Sequence, residues 1–339
     1  MHYRSLGRTG LKVSPLCLGA MMFGSWGNPD HEDSVSIIHA ALDAGINFID
    51  TADVYSAGES EEIVAKAIKD RRDEVVLATK FFAFMGEGPN QSGGSRYWIM
   101  KECENSLRRL GTDHIDLYQV HRPSPGTEVE ETVGALTDLV RAGKVRYIGS
   151  SSYSGSQIVE AQWASRERHL ERFVTEQPPY SILVRGIEAD VLPTAQRHGM
   201  GVIPWSPLAG GWLSGKYRKG AETPSSTRAD RLPHRYDLSL PGNQRKFEAA
   251  DALGALADEV GIPLIEIAIA FVINHPAVTS AIIGPRTMEH LESQLPAATR
   301  TLDAELLDRI DEIVPPATSF NYADTGYANP ALEPAARRR

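Results

Sequence analysis

The sequence predicts an α/β protein, a (β/α)₈ TIM barrel with an N-terminal β-hairpin and an extra C-terminal helix. From Leu16 onward, short β-rich runs alternate with longer segments of helical period, and there are eight of each. Alternation of this kind indicates a parallel sheet, and eight repeats favour a closed barrel. The alternative is an open sheet that binds a dinucleotide. That fold needs a G-x-G-x-x-G loop at the start of a helix, and the sequence has none at the start of any predicted helix.

The predicted strands are short and mostly apolar, as buried parallel strands are. They are Leu16 to Gly19, Phe48 to Thr51, Val75 to Thr79, Ile115 to His121, Tyr147 to Ser151, Val174 to Gln177, Gly201 to Trp205 and Ala281 to Gly284. Several predicted helices end at a glycine, which supplies a left-handed cap residue. The helices include Asp33 to Ala44, Glu61 to Ile68, Ile99 to Leu110, Val129 to Ala142 and Glu188 to His198.

We expect residues 1–339 to form one domain, because barrels of this class often exceed the average domain length. Residues 1–15 are expected to form a hairpin that closes the bottom of the barrel, and Ala304 to Val314 an added helix. Residues 218–246 are polar and without periodicity, which predicts a lid loop. The tail, residues 315–339, either folds over the mouth of the barrel or extends from it.

Composition excludes several classes of function. A formal net charge of -9 argues against a nucleic-acid or anionic-membrane surface. The two cysteines, Cys17 and Cys103, fit a reducing compartment, and the start of the sequence lacks the apolar stretch of a signal peptide, so we expect a cytoplasmic protein. No metal is expected, because His31-Glu32-Asp33 lacks the paired histidines of a zinc helix. The oligomeric state stays open.

Reactive side chains end three successive predicted strands. Asp50 ends the second strand and Tyr55 follows it, Lys80 ends the third, and His121 ends the fourth. The carboxyl ends of barrel strands share one rim, where barrel enzymes hold their active sites. A phenol is a weak acid that needs a neighbouring positive charge, which Lys80 can supply and Asp50 can hold in place. These four residues are therefore candidates for protonating a carbonyl group, with His121 donating to the carbonyl oxygen.

The same residues carry a resemblance to a known family. The runs Asn47 to Tyr55, Gly58 to Glu61, Thr79-Lys80 and Asp113 to His121 resemble the aldo-keto reductases, over nearly the whole chain. Within that family, the sequence looks like the bacterial branch that contains sugar-modifying reductases and is akin to potassium-channel beta subunits. The resemblance implies reversible hydride transfer between NADPH and an aldehyde or ketone. Tyr55 would then be the proton donor, and His121 would orient the substrate.

Cofactor residues follow from the matching positions. Ser151, Ser152 and Gln177 resemble the groups that bind the nicotinamide carboxamide, and Trp205 the aromatic that stacks on the nicotinamide ring. The glycine-rich run from Ser206 to Lys216 exposes backbone amides that suit a pyrophosphate. Its candidate contacts are Ser206, Leu208, Gly210 and Lys216.

The eighth predicted strand leads into the corner where barrels commonly bind phosphate. Gly284 and Arg286 lie in this corner, and the guanidinium of Arg286 suits the adenosine 2′-phosphate, which favours NADPH over NADH. Gln294 matches a family residue at the adenine. Six aromatic residues are candidates either for the substrate pocket or for the core. They are Trp26, Phe81, Phe82, Trp98, Trp212 and Phe320.

Three other functions stay open. The chain could be an NADPH-binding sensor or regulatory subunit with little turnover. It could be an isomerase or aldolase that uses Lys80 as a Schiff-base amine. It could also be a reductase dedicated to a nucleotide-linked keto-deoxysugar, whose charge Arg228, Arg231 and Arg235 of the predicted lid would bind.

Overall fold

Eight parallel strands form one sheet that closes into a barrel. The computed structural model describes residues 1–222, 227–327 and 332–337. Within these residues the sheet order is β10-β3-β4-β5-β6-β7-β8-β9. Trp205, just after β9, bridges Ile282 of β10 in parallel, and the Ile282 amide donates to the Pro204 carbonyl at 2.8 Å. The strands are β1 Arg4–Ser5, β2 Lys12–Val13, β3 Leu16–Gly19, β4 Phe48–Asp50, β5 Val76–Phe81, β6 Ile115–Val120, β7 Val145–Ser151, β8 Thr175–Gln177, β9 Gly201–Val202 and β10 Ala281–Ile283.

The predicted barrel strands all correspond to observed strands, with ends that differ by a few residues. The helices begin at polar caps: the Asp30 carboxylate accepts from two amides at the start of α1, and Ser154 forms a capping box with Gln157 at the start of α5. The helices are α1 His31–Asp43, α2 Glu59–Ile68, α3 Arg96–Leu110, α4 Val129–Arg141, α5 Gly155–Glu167, α6 Val191–His198, α7 Thr227–Arg231, α8 Pro241–Val260, α9 Leu264–Asn274, α10 Met288–Gln294, α11 Ala304–Ile313 and α12 Pro334–Arg337.

The N-terminal hairpin is present, and it closes the amino end of the barrel. β1 and β2 pair in antiparallel fashion, and the hairpin buries Leu6 and Val13 inside the barrel. Gly7 has a φ of 58°, and an added Cβ would lie 2.6 Å from the amide nitrogen of Gly201. Only glycine fits such a close approach without displacing the backbone.

The segment predicted as a lid loop, residues 218–246, contains more helix than its lack of periodicity indicated. α7 lies within it, a 3₁₀ turn spans Pro233–Arg235, and α8 begins at Pro241. Proline is favoured in the first turn of a helix, so Pro241 marks a helix start in a polar stretch. The predicted lid and tail extend in part beyond the described residues, at 223–226, 328–331 and 338–339.

Polar contacts join the predicted lid to the C-terminal tail. The Lys246 ammonium, only 1% exposed, binds the Asp324 carboxylate at 2.8 Å, and the Asn321 amide donates to the Asn243 side chain at 2.7 Å. Gly326 then packs against the indole of Trp205. The tail up to Gly326 thus lies over the mouth of the barrel rather than extending away from it.

Candidate active site

Lys80 is the centre of a buried polar network at the carboxyl end of the barrel. It lies on β5 and is fully buried. Its Nζ donates to Asp50 Oδ2 at 2.5 Å, to the Thr51 carbonyl at 2.7 Å and to the Tyr55 hydroxyl at 3.1 Å. An ammonium has three N–H donors, and these contacts use all three. The Tyr55 oxygen therefore accepts from Lys80, and its own O–H hydrogen is free to point toward a ligand.

The Asp50 carboxylate keeps Lys80 charged. Burial lowers the pKa of Lys80, but the Asp50 charge and the hydrogen bonds outweigh burial, and the net direction of the pKa is upward. The second carboxylate oxygen, Oδ1, accepts from the side-chain amides of Gln119 at 3.0 Å and Gln177 at 2.9 Å. The two glutamines also bond to each other at 3.1 Å. One closed network thus joins β4, β5, β6 and β8.

The Tyr55 ring lies between two other aromatic side chains. Its centroid is 5.7 Å from that of His121, in an edge-to-face arrangement, and 6.1 Å from that of Trp26. The next two residues, Ser56 and Ala57, have φ values of 50° and 56°, in the left-handed region that side chains rarely adopt. Strain of this kind is common where a loop fixes a functional side chain.

His121 follows β6 and faces the phenol. Burial, reinforced by the charges of Lys80 and Arg122, holds the pKa of His121 well below its ordinary value. The imidazole is therefore neutral at physiological pH, with one N–H donor and one acceptor nitrogen. A neutral donor beside Tyr55 can orient a carbonyl oxygen without competing with the phenol as the acid.

The residues predicted to bind the nicotinamide carboxamide lie next to this network. The Ser152 Oγ is buried and has no hydrogen-bond partner among the described residues, and Ser152 has a φ of 61°. Ser151 differs, since its Oγ already donates to the Gln177 carbonyl at 2.9 Å. Both amide hydrogens of Gln177 are used inside the barrel, so only its side-chain oxygen can accept from a ligand. An unpartnered hydroxyl beside a free acceptor fits a primary carboxamide.

The glycine-rich segment after β9 forms a pocket beside Trp205. Ser206 has a φ of 61°, and Gly211 has a φ of 103° with no atom within 4 Å of an added Cβ. Arg235 Nε is buried without a partner in the described part of the chain. Open space and an unused guanidinium donor fit a pyrophosphate. The lining residues are Pro179, Tyr180, Val184, Trp205, Ser206, Ala209, Gly210, Arg228, Arg235, Tyr236 and Asp324.

The predicted phosphate residues converge at a second corner. Burial lowers the pKa of His290, and the charges of Arg286 and Lys216 lower it further, so these two cations lie close to the same imidazole. Gly284 is exposed at the end of β10, and Gln294 is buried at the end of α10. Leu208 lies in the glycine-rich segment, where its carbonyl accepts from the Gly211 amide at 2.9 Å.

Sequence reasoning missed three polar residues of this region: Gln119, Arg122 and Glu176. Gln119 was detectable, because it lies two residues before His121 on one strand and therefore points to the same face. Glu176 is buried against Ser150 Oγ at 2.5 Å, and burial raises the pKa of its carboxyl to about 8. Arg122 directly follows His121.

The aromatic candidates divide between the site and the core. Trp26 flanks Tyr55, and the Arg231 guanidinium lies 4.6 Å from the Trp26 ring. Trp98 and Trp212 fit the alternative of core residues, because both side chains are buried and Trp212 stacks on Tyr217 and Tyr236. Phe81 is likewise fully buried, against Tyr118.

Comparison with known proteins agrees with the fold and the network. The model of the aldo/keto reductase family matches residues 15–315, so the chain belongs to this family. It is 43% identical to the uncharacterized oxidoreductase YrpG of Bacillus subtilis, with 93% of this chain and 96% of that protein covered. It is 37% identical to a probable voltage-gated potassium channel subunit beta of Arabidopsis thaliana, covering 93% and 97%. It is 36% identical to the aldo-keto reductase YhdN of Bacillus subtilis, covering 90% and 91%.

The family assignment makes the chain an oxidoreductase and confirms the resemblance read from the strand-end residues. The family generally uses a nicotinamide cofactor. No helix among the described residues is both long and apolar enough to span a membrane.

Proposed function

We propose that the chain is an NADPH-dependent reductase of aldehydes or ketones, with Tyr55 as the proton donor. The observation that carries the proposal is the donor count at Lys80, whose third N–H binds the Tyr55 oxygen at 3.1 Å. This contact leaves the phenol hydrogen for a substrate carbonyl. A phenolate that forms as the proton leaves would be held by the same ammonium.

Each polar residue then has one task. Asp50 holds the Lys80 ammonium charged and in place, and Gln119 and Gln177 hold Asp50. The neutral His121 donates to the carbonyl oxygen and orients it toward Tyr55. Proton transfer from Tyr55 to that oxygen leaves a phenolate, which regains a proton from solvent. A bound nicotinamide would supply the hydride to the carbonyl carbon.

The preference for NADPH rests on the phosphate corner. The charges of Arg286 and Lys216 both act on the His290 imidazole, so this corner carries two positive charges that favour a phosphate. The 2′-phosphate of NADPH would neutralise the charges of Arg286 and Lys216, whereas NADH offers a neutral ribose hydroxyl. Ser151, Ser152, Gln177 and Trp205 would hold the nicotinamide end of the cofactor.

The test is NADPH oxidation with para-nitrobenzaldehyde, followed by the loss of nicotinamide absorbance. Tyr55→Phe removes only the hydroxyl and should lower kcat by roughly 100-fold to 10,000-fold, the usual effect of losing a general acid. Tyr97→Phe is the matched control, because Tyr97 is 63% exposed on α3. NADH should give a higher KM than NADPH. Normal turnover by Tyr55→Phe would exclude Tyr55 as the acid.

A sensing role is the second candidate, and the similarity to a probable potassium channel subunit beta favours it. A sensor would bind NADPH tightly and turn over slowly with every carbonyl offered. The Schiff-base alternative is disfavoured, because the Lys80 ammonium is protonated and all its donors are used. Borohydride trapping with substrate should therefore give no adduct at Lys80.

The proposed setting is the cytoplasm, since Cys17 and Cys103 are free and buried. The proposed partner is a small carbonyl compound. A nucleotide-linked keto-deoxysugar remains one candidate, because Arg228 and Arg235 line the pocket beside Trp205.

A further inference from the structure

Arg122 is a half-buried cation beside the proposed acid that the mechanism above does not use. It directly follows His121 at the carboxyl end of the barrel. Its Nη1 donates to the His121 carbonyl at 2.6 Å, which folds the guanidinium back against the backbone. A guanidinium has five N–H donors, so most of them are left over after this one contact.

No carboxylate among the described residues forms an ion pair with Arg122. Glu176 is the acidic group whose charge acts on it, but the Glu176 oxygens accept from Ser150 Oγ and from the Tyr153 amide. Burial raises the pKa of Glu176 to about 8, so this carboxyl is mostly neutral at neutral pH. Asp324, the acid that lines the neighbouring pocket, is bound by Lys246. Arg122 therefore has no ion-pair partner among the described residues, although the charges of Tyr55 and Glu176 act on it, and burial lowers its pKa.

The guanidinium lies on the substrate side of the site. An ideal Cβ on Gly326 would be 2.5 Å from Trp205 Cη2 and 3.8 Å from Arg122 Nη2, so both groups meet the tail at the same place. The charge of Tyr55 also acts on Arg122. Arg122 thus lies close to the Trp205 indole and the tail, and it directly follows His121, whose ring packs against Tyr55.

The other cations of this region are assigned to the proposed cofactor site, although the charge of Arg235 also acts on Arg122. Arg228 and Arg235 line the pocket with Ser206 and Gly210, next to the segment proposed to hold the pyrophosphate. Lys216 and Arg286 lie at the proposed 2′-phosphate corner. Arg122 is the described arginine that adjoins His121, where a carbonyl substrate would bind, rather than the glycine-rich segment.

We propose that Arg122 binds an anionic oxyacid group, a carboxylate or a phosphate, on the carbonyl substrate. The proposal rests on the proposed function and specifies the substrate class of that same site. A planar fork of unused donors, partly removed from water, matches such a group by bidentate hydrogen bonds. The anionic group of the substrate would thereby supply an ion-pair partner for Arg122.

The experiment compares 4-carboxybenzaldehyde with its neutral methyl ester, methyl 4-formylbenzoate, in the NADPH assay. The wild type should prefer the carboxylate in kcat/KM. Arg122→Gln should lower the carboxylate-to-ester ratio by about tenfold or more, mainly through KM, as expected for the loss of a charged hydrogen bond. Arg122→Lys should restore part of the ratio. Arg197→Gln, on the exposed side of α6, is the control for net charge and should leave the ratio unchanged.

A parallel arm uses 4-formylphenyl phosphate as the substrate. If Arg122→Gln lowers kcat/KM for this phosphate more than for the carboxylate, phosphate is the preferred group. A ratio that changes less than twofold in Arg122→Gln overturns the proposal. A rise in the KM for NADPH without a change in the ratio also overturns it, because Arg122 would then bind the cofactor.

Calorimetry separates this proposal from the proposed function. The product 4-(hydroxymethyl)benzoate is titrated into the NADPH-saturated wild type and the Arg122→Gln variant. If no aldehyde is reduced but the product binds through Arg122, the anion site stands and the reductase fails. If the ester is reduced normally and Arg122→Gln binds the product as tightly as the wild type, the reductase stands and the anion site fails.

Discussion

Lys80→Met tests the energetics of the buried network most sharply. Methionine matches the lysine side chain as far as Cε but removes the charge and the three donors that bind Asp50, Thr51 and Tyr55. The Asp50 side chain is 3% exposed and would become a buried carboxylate without a cation. Removing one partner of a buried ion pair costs about 3–5 kcal/mol. Because Oδ1 keeps its bonds to two glutamines, we expect about 3 kcal/mol, the lower end.

The double variant Asp50→Asn/Lys80→Met separates stability from catalysis. A neutral amide no longer needs the ammonium, so most of the lost free energy of unfolding should return, to within about 1 kcal/mol of the wild type. The rate of carbonyl reduction should be roughly 100-fold or more below that of the wild type in both variants, because the phenol has lost its charged neighbour. Urea unfolding followed by circular dichroism gives the stability, and single-turnover oxidation of NADPH gives the rate. Equal stability losses in the single and double variants would refute the account of the ion pair.

Three further predictions concern the groups around this network. Burial raises the pKa of Glu176 to about 8, against about 4.3 for an ordinary glutamate. The stability that this carboxyl contributes to the folded state is therefore fully present below pH 4.3 and is lost as the pH rises through 8. The melting temperature of the wild type should therefore fall relative to Glu176→Gln between pH 5 and pH 9, and parallel curves would contradict the assignment. Gly326→Ala places a Cβ 2.5 Å from Trp205 at a φ of 70°, so the tail should be displaced. The KM for the carbonyl substrate should then rise severalfold. An unaltered KM would mean that the tail does not border the substrate. Asp324→Asn removes the carboxylate that binds the buried Lys246, which should loosen the contact of lid and tail and raise the KM for NADPH more than it changes kcat, with Asp308→Asn on α11 as the exposed control.

Much of the fold could be predicted because the patterns that indicate strands and helices are local in the sequence. Eight short apolar strands, each followed by a helical segment, allow few arrangements other than a barrel. The barrel then brings Asp50, Lys80 and His121 to one rim, because each ends a parallel strand. Residues far apart in sequence could thus be grouped from topology alone.

The remaining features depend on contacts that no local pattern reports. The sequence predicts that the Gln177 carboxamide binds a ligand, but it does not predict that both amide hydrogens bind Asp50 and Gln119 across the barrel, which leaves the side-chain oxygen for a ligand. The helices at Thr227–Arg231 and Pro241–Val260 begin in a polar stretch, where their apolar contacts are too sparse to give a clear period. The close approach of Gly326 to Trp205 joins segments more than a hundred residues apart, and only the closed barrel brings them together.

The most direct test of the central claim follows the transferred atom. Wild type and Tyr55→Phe are incubated with NADPH deuterated at both C4 positions and para-nitrobenzaldehyde, and the alcohol is analysed by mass spectrometry. The account predicts one deuterium on the benzylic carbon with the wild type, and almost no alcohol with Tyr55→Phe although the cofactor still binds. Alcohol without deuterium, or equal yields from both proteins, would contradict a carbonyl reduction in which Tyr55 supplies the proton.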